Sequence, residues 1–332
     1  MLHIVNPCTD PYFNLALEEY FLKNEPAAND LVILWRNAPT VVVGRNQNTA
    51  AEINQPFIAD RHIQVVRRLS GGGAVYHDLG NLNFTFITAA SGNRNKDFFR
   101  FSVPVIDALA TLGVKAKFSG RNDLTIDGQK FSGNAQYLHH GRLLHHGTLL
   151  FDTDLTILAQ ALAGPEAKYS PPAVPSVRSR VTTIRPYLKQ PITITEFEDI
   201  LLKAVFRHAG TDYRKYALSV ADCQSIEALA RSRYQDPAWN YGTLPPYNRS
   251  SKKKFAGGTV QVLLNIQNET IQHCKIFGDF FATGDIDDLE AALSGTAYSR
   301  ESLGKIIAAW LAEHPIHDIA LDNLLACFFP NL

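Results

Sequence analysis

The sequence predicts an α/β chain: an α+β mixed sheet carrying helices, followed by a small α+β unit. Three observations predict it. Strand-length runs of β-branched and aromatic residues are interspersed with longer stretches of helical periodicity. An Asp127-Gly128 pair joins two such runs, and Asp-Gly marks a tight antiparallel hairpin because both residues tolerate positive φ. Two proline-rich breaks punctuate the chain, at residues 164–175 and 245–254, and the second divides residues 1–247 from a unit over 248–332.

In chain order, residues 2–5 read as a strand. Asp10 is a helix N-cap with Pro11 at the first helical position, and Phe13, Leu17, Tyr20 and Phe21 follow at helical spacing. Residues 31–36 and 40–44 are strands around a turn at 37–39, then a polar helical stretch leads to a strand at 63–67. Residues 74–77 and 82–87 are strands and 98–112 a helix. The Asp127-Gly128 hairpin joins 123–126 to 129–136, and 143–151 is a further strand. A helix fits 155–163. Residues 164–175 hold four prolines and read as a long surface loop, with a possible strand at 177–184. Helices follow at 195–208 and 222–233. After the second break, 255–266 and 270–277 form a hairpin, and 286–293 and 300–313 are helices.

Composition narrows the function. The chain has 332 residues, 45% of them hydrophobic, so it can bury a sizeable core. Lys+Arg and Asp+Glu both number 32, a balance that argues against a nucleic-acid partner, which needs a basic footprint. No apolar run approaches the length of a membrane span. Acidic residues come early and no arginine precedes Arg36, so the start reads as carrying no targeting signal, and the expected location is the cytoplasm. The four cysteines, Cys8, Cys223, Cys274 and Cys327, are far apart and read as inert thiols.

Three stretches carry chemistry. Arg67-Arg68-Leu69-Ser70-Gly71-Gly72-Gly73-Ala74 places three glycines after a strand. Their N–H groups could converge on an anion, with a guanidinium adding a bidentate phosphate contact; a flexible tight turn is the bland alternative. The loop is neither a dinucleotide fingerprint nor a P-loop, because Tyr76 stands at the third glycine position and no Gly-Lys-Ser/Thr follows. Second, Asn122 and Asp123 precede the hairpin that ends in Lys130-Phe131-Ser132-Gly133. Strand alternation would put Lys130 and Ser132 on one face. Ser132, Gly133 and Ala135 leave room for a ligand beside an ammonium able to stabilise a carboxylate or an α-phosphate. Asn122 and Asp123 could read an adenine edge, hold Mg²⁺ through a carboxylate, or simply make a turn. Third, in the doublets His139-His140 and His145-His146 neighbours on a strand point to opposite faces, so neither doublet chelates as a unit. His146 is the site candidate.

Together these stretches resemble the lipoate–protein ligase A family. The matching segments are RRLSGGGAVYHD at 67–78, GNLNFTF at 80–86, GRNDL at 120–124, KFSGNA at 130–135, HHGTLL at 145–150 and SVRSRVT at 176–182. VVVGRNQ at 41–47, the helix around Asn14–Glu19 and WNYG at 239–242 also fit. Leu69 and Asn134 depart from the common pattern without removing a charge. The resemblance implies a biotin/lipoate ligase-like catalytic domain with a small C-terminal domain. It implies that lipoate and ATP, with Mg²⁺, give lipoyl-AMP and pyrophosphate. The lipoyl group then passes to a lysine of apo lipoyl domains, in the E2 subunits of 2-oxoacid dehydrogenases or the glycine-cleavage H protein.

It also implies roles. Lys130 would contact both lipoate and the adenylate. Arg68, Ser70, Gly72, Gly73, Ala74, Val75 and Tyr76, with Asn122, Asp123, Ser132, Gly133 and Ala135, would line the ATP and lipoyl-AMP site, Asp123 being the candidate Mg²⁺ ligand. Trp35, Gly73, His77, Lys130 and His146 would take lipoate, and Ser176, Arg178 and Arg180 would belong to a loop that closes over the adenylate. The competing expectations are an octanoyl or lipoyl transferase on the same fold, which would use a cysteine, and a non-catalytic lipoate-binding protein, which would have no need of Lys130.

Overall fold

The computed structural model describes residues 1–24, 29–90, 97–165 and 180–330. Its elements begin with β1 (Leu2–Val5), α1 (Pro11–Asn24), β2 (Leu31–Trp35), β3 (Thr40–Val43), α2 (Thr49–Glu52), α3 (Gln55–Asp60), β4 (Gln64–Arg67), β5 (Val75–His77) and β6 (Asn81–Ala89). Next come α4 (Phe98–Thr111), β7 (Ala116–Ser119), β8 (Asp123–Ile126), β9 (Gln129–His139), β10 (Arg142–Leu150) and α5 (Leu155–Ala161). Then follow α6 (Ile194–Ala209), β11 (Lys215–Ala217), α7 (Val220–Leu229) and α8 (Pro237–Tyr241). The last are β12 (Arg249–Phe255), β13 (Gly258–Gln267), β14 (Thr270–Gly278), α9 (Ile286–Leu293), α10 (Arg300–Glu313) and α11 (Leu321–Phe328).

Local chemistry fixes the element ends much as the sequence suggests. Asp10 Oδ1 accepts from the N–H groups of Tyr12 and Phe13 at 2.7 and 3.2 Å, which starts α1. Thr193 and Glu196 close a capping box on α6, and Ser219 and Asp222 do the same on α7. Asp127 and Gly128 both take positive φ, 49° and 80°, as the hairpin requires.

The chain forms two compact units, neither continuous in sequence, where the sequence suggested a single cut between 247 and 248. The first holds Met1–Val42, Ala50–Arg67 and Val75–Asn240; the second holds Val43–Thr49, Arg68–Ala74 and Tyr241–Leu332. In the first, an eight-stranded mixed sheet runs β11-β1-β2-β6-β10-β9-β8-β7. β1 is parallel to β11 and β2, and every later pair is antiparallel. One face carries Leu34, Phe84, Phe86, Leu124 and Phe131 into a core completed by Phe101, Val105 and Leu109 of α4 and by Phe197, Leu201 and Val205 of α6. A short sheet, β4-β3-β5, carries the segments around the glycine loop.

The second unit contains the sheet β12-β13-β14, packed with α9, α10 and α11 around Val260, Val262, Leu289, Leu303 and Leu324. Here one expectation is corrected. Residues 249–254 are not a polar break but most of β12, paired antiparallel to β13 with Ser251 opposite Val262 and Lys253 opposite Val260. Lysine-rich sequence has poor β propensity; the ladder with β13 overrides it, and lysines are common on edge strands. β7 and β11 also escaped the sequence reading. Both are short, exposed edges of the large sheet and lack a buried alternation. Of the strand suggested at 177–184, residues 180–184 are described and form no strand beyond one bridge, and the loop at 164–175 falls almost wholly outside the described residues. Of the former, Val181 makes a parallel bridge to Lys130. No helix among the described residues is long and apolar enough to cross a membrane.

Phe197 is fully buried between α6 and the sheet. Phe197→Ala should cost about 3–5 kcal/mol in urea unfolding, whereas Thr193→Ala should cost about 1 kcal/mol through the lost cap. Equal losses would mean that α6 is held by its cap rather than by its buried face.

Candidate functional site

The site is set by register. Along β8 and β9, Ile126 faces Gln129, Thr125 faces Lys130, Leu124 faces Ser132 and Asp123 faces Gly133, so Phe131 is an extra residue in β9, a bulge. One extra residue reverses the alternation. Lys130 therefore shares its face with Gly133 and Asp123, not with Ser132 as simple alternation suggested. Ser132 lies on the same face as Leu124 and is buried there. Continuing the register, Ala135 faces His146, His146 faces Thr85, Thr148 faces Asn83, Thr85 faces Ile33 and Asn83 faces Trp35. Asp123, Lys130, Gly133, Ala135, His146, Thr148, Thr85, Asn83 and Trp35 thus share one face of the sheet, opposite the core.

At one end of this face, Lys130 Nζ lies 2.7 Å from Asp123 Oδ1, with both side chains about one-third to two-fifths exposed, at 42% and 34%. A Cβ added at Gly133 would sit 2.9 Å from the same nitrogen, so the glycine provides its seat. Both polar groups of the Lys130 main chain are bound to segment 180–182: its N–H donates to Arg180 O, and its carbonyl accepts from Thr182 N–H, each at 2.8 Å.

At the other end, α1 lies over the sheet and delivers Glu18, 3% exposed. Its carboxylate accepts from Thr85 Oγ1 at 2.5 Å and from His146 Nδ1 at 3.0 and 3.1 Å. Thr85 Oγ1 in turn accepts from Trp35 Nε1 at 2.9 Å. Since the carboxylate accepts, Nδ1 carries the proton and Nε2 is the other functional nitrogen of His146. His77 stands edge-on to Trp35 with ring centroids 5.9 Å apart, and its Nδ1 accepts from Asn37 Nδ2 at 3.1 Å and Asn83 Nδ2 at 3.5 Å. His145, by contrast, faces the core. It stacks on Phe101 at 4.5 Å, and burial holds its pKa well below the ordinary histidine value.

Several residues expected to meet the ligand also make contacts within the protein. Asn122 Nδ2 donates to Asn134 O at 2.6 Å, and Asn134 N–H donates back to Asn122 O at 2.9 Å, so Asn122 braces the hairpin. Arg67 donates through Nε to Trp239 O at 2.8 Å and through Nη2 to Asn240 O at 3.1 Å, which ties residues 239–240 to β4 instead of reaching phosphate. Asp123 faces an ammonium. No group of three or more His, Cys, Asp or Glu side chains able to hold a metal occurs among the described residues. Burial pushes the Tyr76 hydroxyl pKa up, aided by Asp78 and Asp154, so it stays neutral. Of the proposed adenylate loop, Ser176 and Arg178 lie outside the described residues, and Arg180 contributes its carbonyl to Lys130.

The glycine loop belongs to the second unit. Arg68 folds back on it, donating to Ser70 Oγ at 3.0 Å and to the carbonyls of Gly71 and Gly73 at 2.7 and 2.8 Å. Gly72 takes φ 92° and directs its N–H to Phe280 O at 3.4 Å. A Cβ on Gly71 would run into the Phe280 carbonyl, and one on Gly72 into Arg68 and the Phe281 ring, whereas one on Gly73 would meet nothing within 4 Å among the described residues. Gly71 and Gly72 are thus also demanded by packing inside the protein, and Gly73 alone of the three has open space beside it among the described residues. Ala74 and Val75 follow it half-buried.

Residues 10–206 match the family model described as the lipoyl protein ligase A/B catalytic domain, and residues 244–328 match the bacterial lipoate protein ligase C-terminus. The chain belongs to the lipoate–protein ligase family. It is 43% identical over 320 residues to lipoate–protein ligase 1 of Staphylococcus aureus, covering 96% of this chain and 97% of the relative. Among solved structures it resembles P. falciparum LipL1 in complex with lipoate, with a TM-score of 0.79 and 26% identity over 98% of this chain and 96% of that one. It also resembles the bipartite lipoate protein ligase of Thermoplasma acidophilum, studied with its E2 lipoyl domain, with a TM-score of 0.68 and 25% identity over 74% of this chain and 97% of that one.

Four polar residues of the ligase escaped the sequence reading: Glu18, Thr85, Asn83 and Asn37. The sequence placed Asn14–Glu19 only within the family resemblance; the need for partners appears with the structure, where Asn14, Glu18 and Glu19 sit in a helix buried nearly all round.

The two outer glycines should separate packing from function. Gly71→Ala should lower unfolding stability by about 1–3 kcal/mol through the clash with the Phe280 carbonyl. Gly73→Ala should melt like the parent in differential scanning calorimetry, since the added methyl meets nothing. A matching melting loss at both positions would show that Gly73 too is held by packing.

Proposed function

We propose that this ligase activates lipoate with ATP to lipoyl-AMP, releasing pyrophosphate, and then acylates a lysine of apo lipoyl domains in the cytoplasm. The observation that carries the proposal is the single sheet face with an ammonium at one end and a buried aromatic–polar cluster at the other. From Lys130 to Ala135, the register partner of His146, the bulged strand advances four pair positions, about 13 Å at ~3.3 Å per residue. An extended acyl chain ending in a dithiolane ring suits that separation, with its carboxylate at Lys130 and its ring against Trp35, His77 and His146.

The chemistry follows from charge. A lipoate carboxylate oxygen attacks the α-phosphorus of ATP; the bond between the α-phosphorus and its bridging oxygen breaks, and pyrophosphate leaves. Lys130 would stabilise the charge on the carboxylate and α-phosphate as that bond forms. In the second step the amine of the acceptor lysine attacks the acyl carbonyl, AMP leaves with the electron pair and the amine gives up a proton. Lys130 would then face the oxyanion. Arg68 organises the loop carbonyls, and we assign it to ATP binding through the loop shape rather than through a free fork. With one carboxylate in reach of Lys130 and no enclosing set of ligands among the described residues, Mg²⁺ fits only as a companion of the ATP phosphates.

The acceptors are proposed as E2 lipoyl domains of 2-oxoacid dehydrogenases and the glycine-cleavage H protein, by the family resemblance and by the E2 lipoyl domain studied with the Thermoplasma ligase. A thioester route is disfavoured by the cysteines. Cys274 and Cys327 are buried, and burial raises their pKa, that of Cys327 to about 11; burial also raises the pKa of Cys8.

Wild-type protein should release pyrophosphate only when lipoate and ATP are both present. Lys130→Ala should remain folded and lose on the order of 10²–10³ in rate in both half-reactions, the second measured from synthetic lipoyl-adenylate. A variant that retains normal transfer from the adenylate would restrict Lys130 to the first step. Activity in both steps would remove it from the mechanism.

A further inference from the structure

The Lys130–Asp123 pair is poorly explained as a stabilising ion pair. Both side chains are substantially open to solvent, and exposed pairs contribute little. Its geometry is nonetheless tightly specified. The bulge at Phe131 turns Lys130 onto the face of Asp123 and Gly133. Gly133 leaves the space in which Nζ rests. The Lys130 backbone is clamped by Arg180 and Thr182. A lysine side chain is a flexible four-carbon stem, and a charge on such a stem is preorganised only if something holds it. Asp123 is the one carboxylate found in ion-pair contact with this ammonium among the described residues.

We propose that Asp123 is a positioning residue: it holds the Lys130 ammonium over Gly133, at the end of the ligand face, before substrates arrive. This rests on the reading of Lys130 as the group that meets the acyl-phosphate. It replaces the expectation that the Asp123 carboxylate serves as a metal ligand. When the carboxylate and phosphate of the substrates approach, Nζ has only to turn from one carboxylate to another anion. Without Asp123 the stem samples other rotamers, and a misplacement of about 1 Å is enough to lose on the order of 10²-fold in rate.

The test compares the wild type with Asp123→Asn and Asp123→Glu by two readouts. The first is lipoate- and ATP-dependent pyrophosphate release, with kcat and KM for lipoate separated and MgCl₂ titrated. The second needs no activity: the rate of reductive methylation at Lys130, followed by peptide mass spectrometry without substrates, with exposed Lys117 as the internal reference. Asp123→Asn should lower kcat by about 10–10²-fold while KM for lipoate and the magnesium requirement stay put. Methylation of Lys130 should rise several-fold towards the rate at Lys117, with unchanged melting. Asp123→Glu should restore most of both. Unchanged methylation at Lys130 would overturn the proposal, and so would a kcat defect cured by excess MgCl₂, which would make Asp123 a magnesium ligand. If methylation responds as expected but the wild type releases no pyrophosphate, positioning stands and the assigned reaction fails.

Discussion

One extra residue in β9 governs the layout of the ligase. Phe131 takes a position in the ladder without a partner and drops into the core beside Leu124 and Ile126. A period-two strand has two faces, so inserting one residue exchanges them for everything beyond. Lys130 before the bulge and Gly133, Ala135 and His146 after it consequently share a face. An unbulged β9 would keep Phe131 in the core and turn Gly133, Ala135 and their cross-strand partners away from Lys130. The large buried phenyl ring therefore fixes where the ammonium stands, and the packing of the core is coupled to the geometry of the proposed site.

The other end of the same face depends on a different constraint, the cost of burying charge. Glu18 and Glu19 are adjacent in α1 and both almost fully buried. Unpaired carboxylates there would be prohibitive. Glu18 is satisfied by Thr85 and His146, and Glu19 by Lys23, Arg233 and Tyr234 at 2.6 to 2.8 Å. Glu19 thus anchors the helical turn at 230–234 to α1, while Glu18 orients the imidazole. Two neighbouring residues of one type divide into a structural and a site role according to which element each meets.

The second unit gathers two short N-terminal segments to the C-terminal stretch. Segments 43–49 and 68–74 associate with the C-terminal stretch through specific bonds: Gly278 N–H to Asn46 O at 2.8 Å, Arg45 to Asp285 at 2.7 Å, and the Gly71–Gly72 backbone against Phe280 and Phe281. The glycine loop is therefore shaped by residues some two hundred positions away in sequence. Gly71 and Gly72 are demanded by the close approach of backbone and ring.

The sequence by itself determined a great deal. Caps, the Asp127-Gly128 turn and hydrophobic periods are local signals, read by neighbouring residues from one another, and they located most helices and strands. Motif segments in fixed order pointed to the ligase family and to Lys130, and the opposite facing of His145 and His146 followed from strand geometry alone. Tertiary structure decided what local pattern does not encode. The bulge at Phe131 reflects a choice between two registers that differ only in what the core accepts, so Ser132 was placed on the wrong face. The internal partners of Arg67, Arg68 and Asn122, the carbonyls of Trp239, Asn240, Gly71, Gly73 and Asn134, could not be read from the sequence, because backbone groups are present at every position and invisible to composition. The edge strands β7, β11 and β12 exist because a neighbouring ladder supplies their hydrogen bonds, and a sequence does not announce its neighbour.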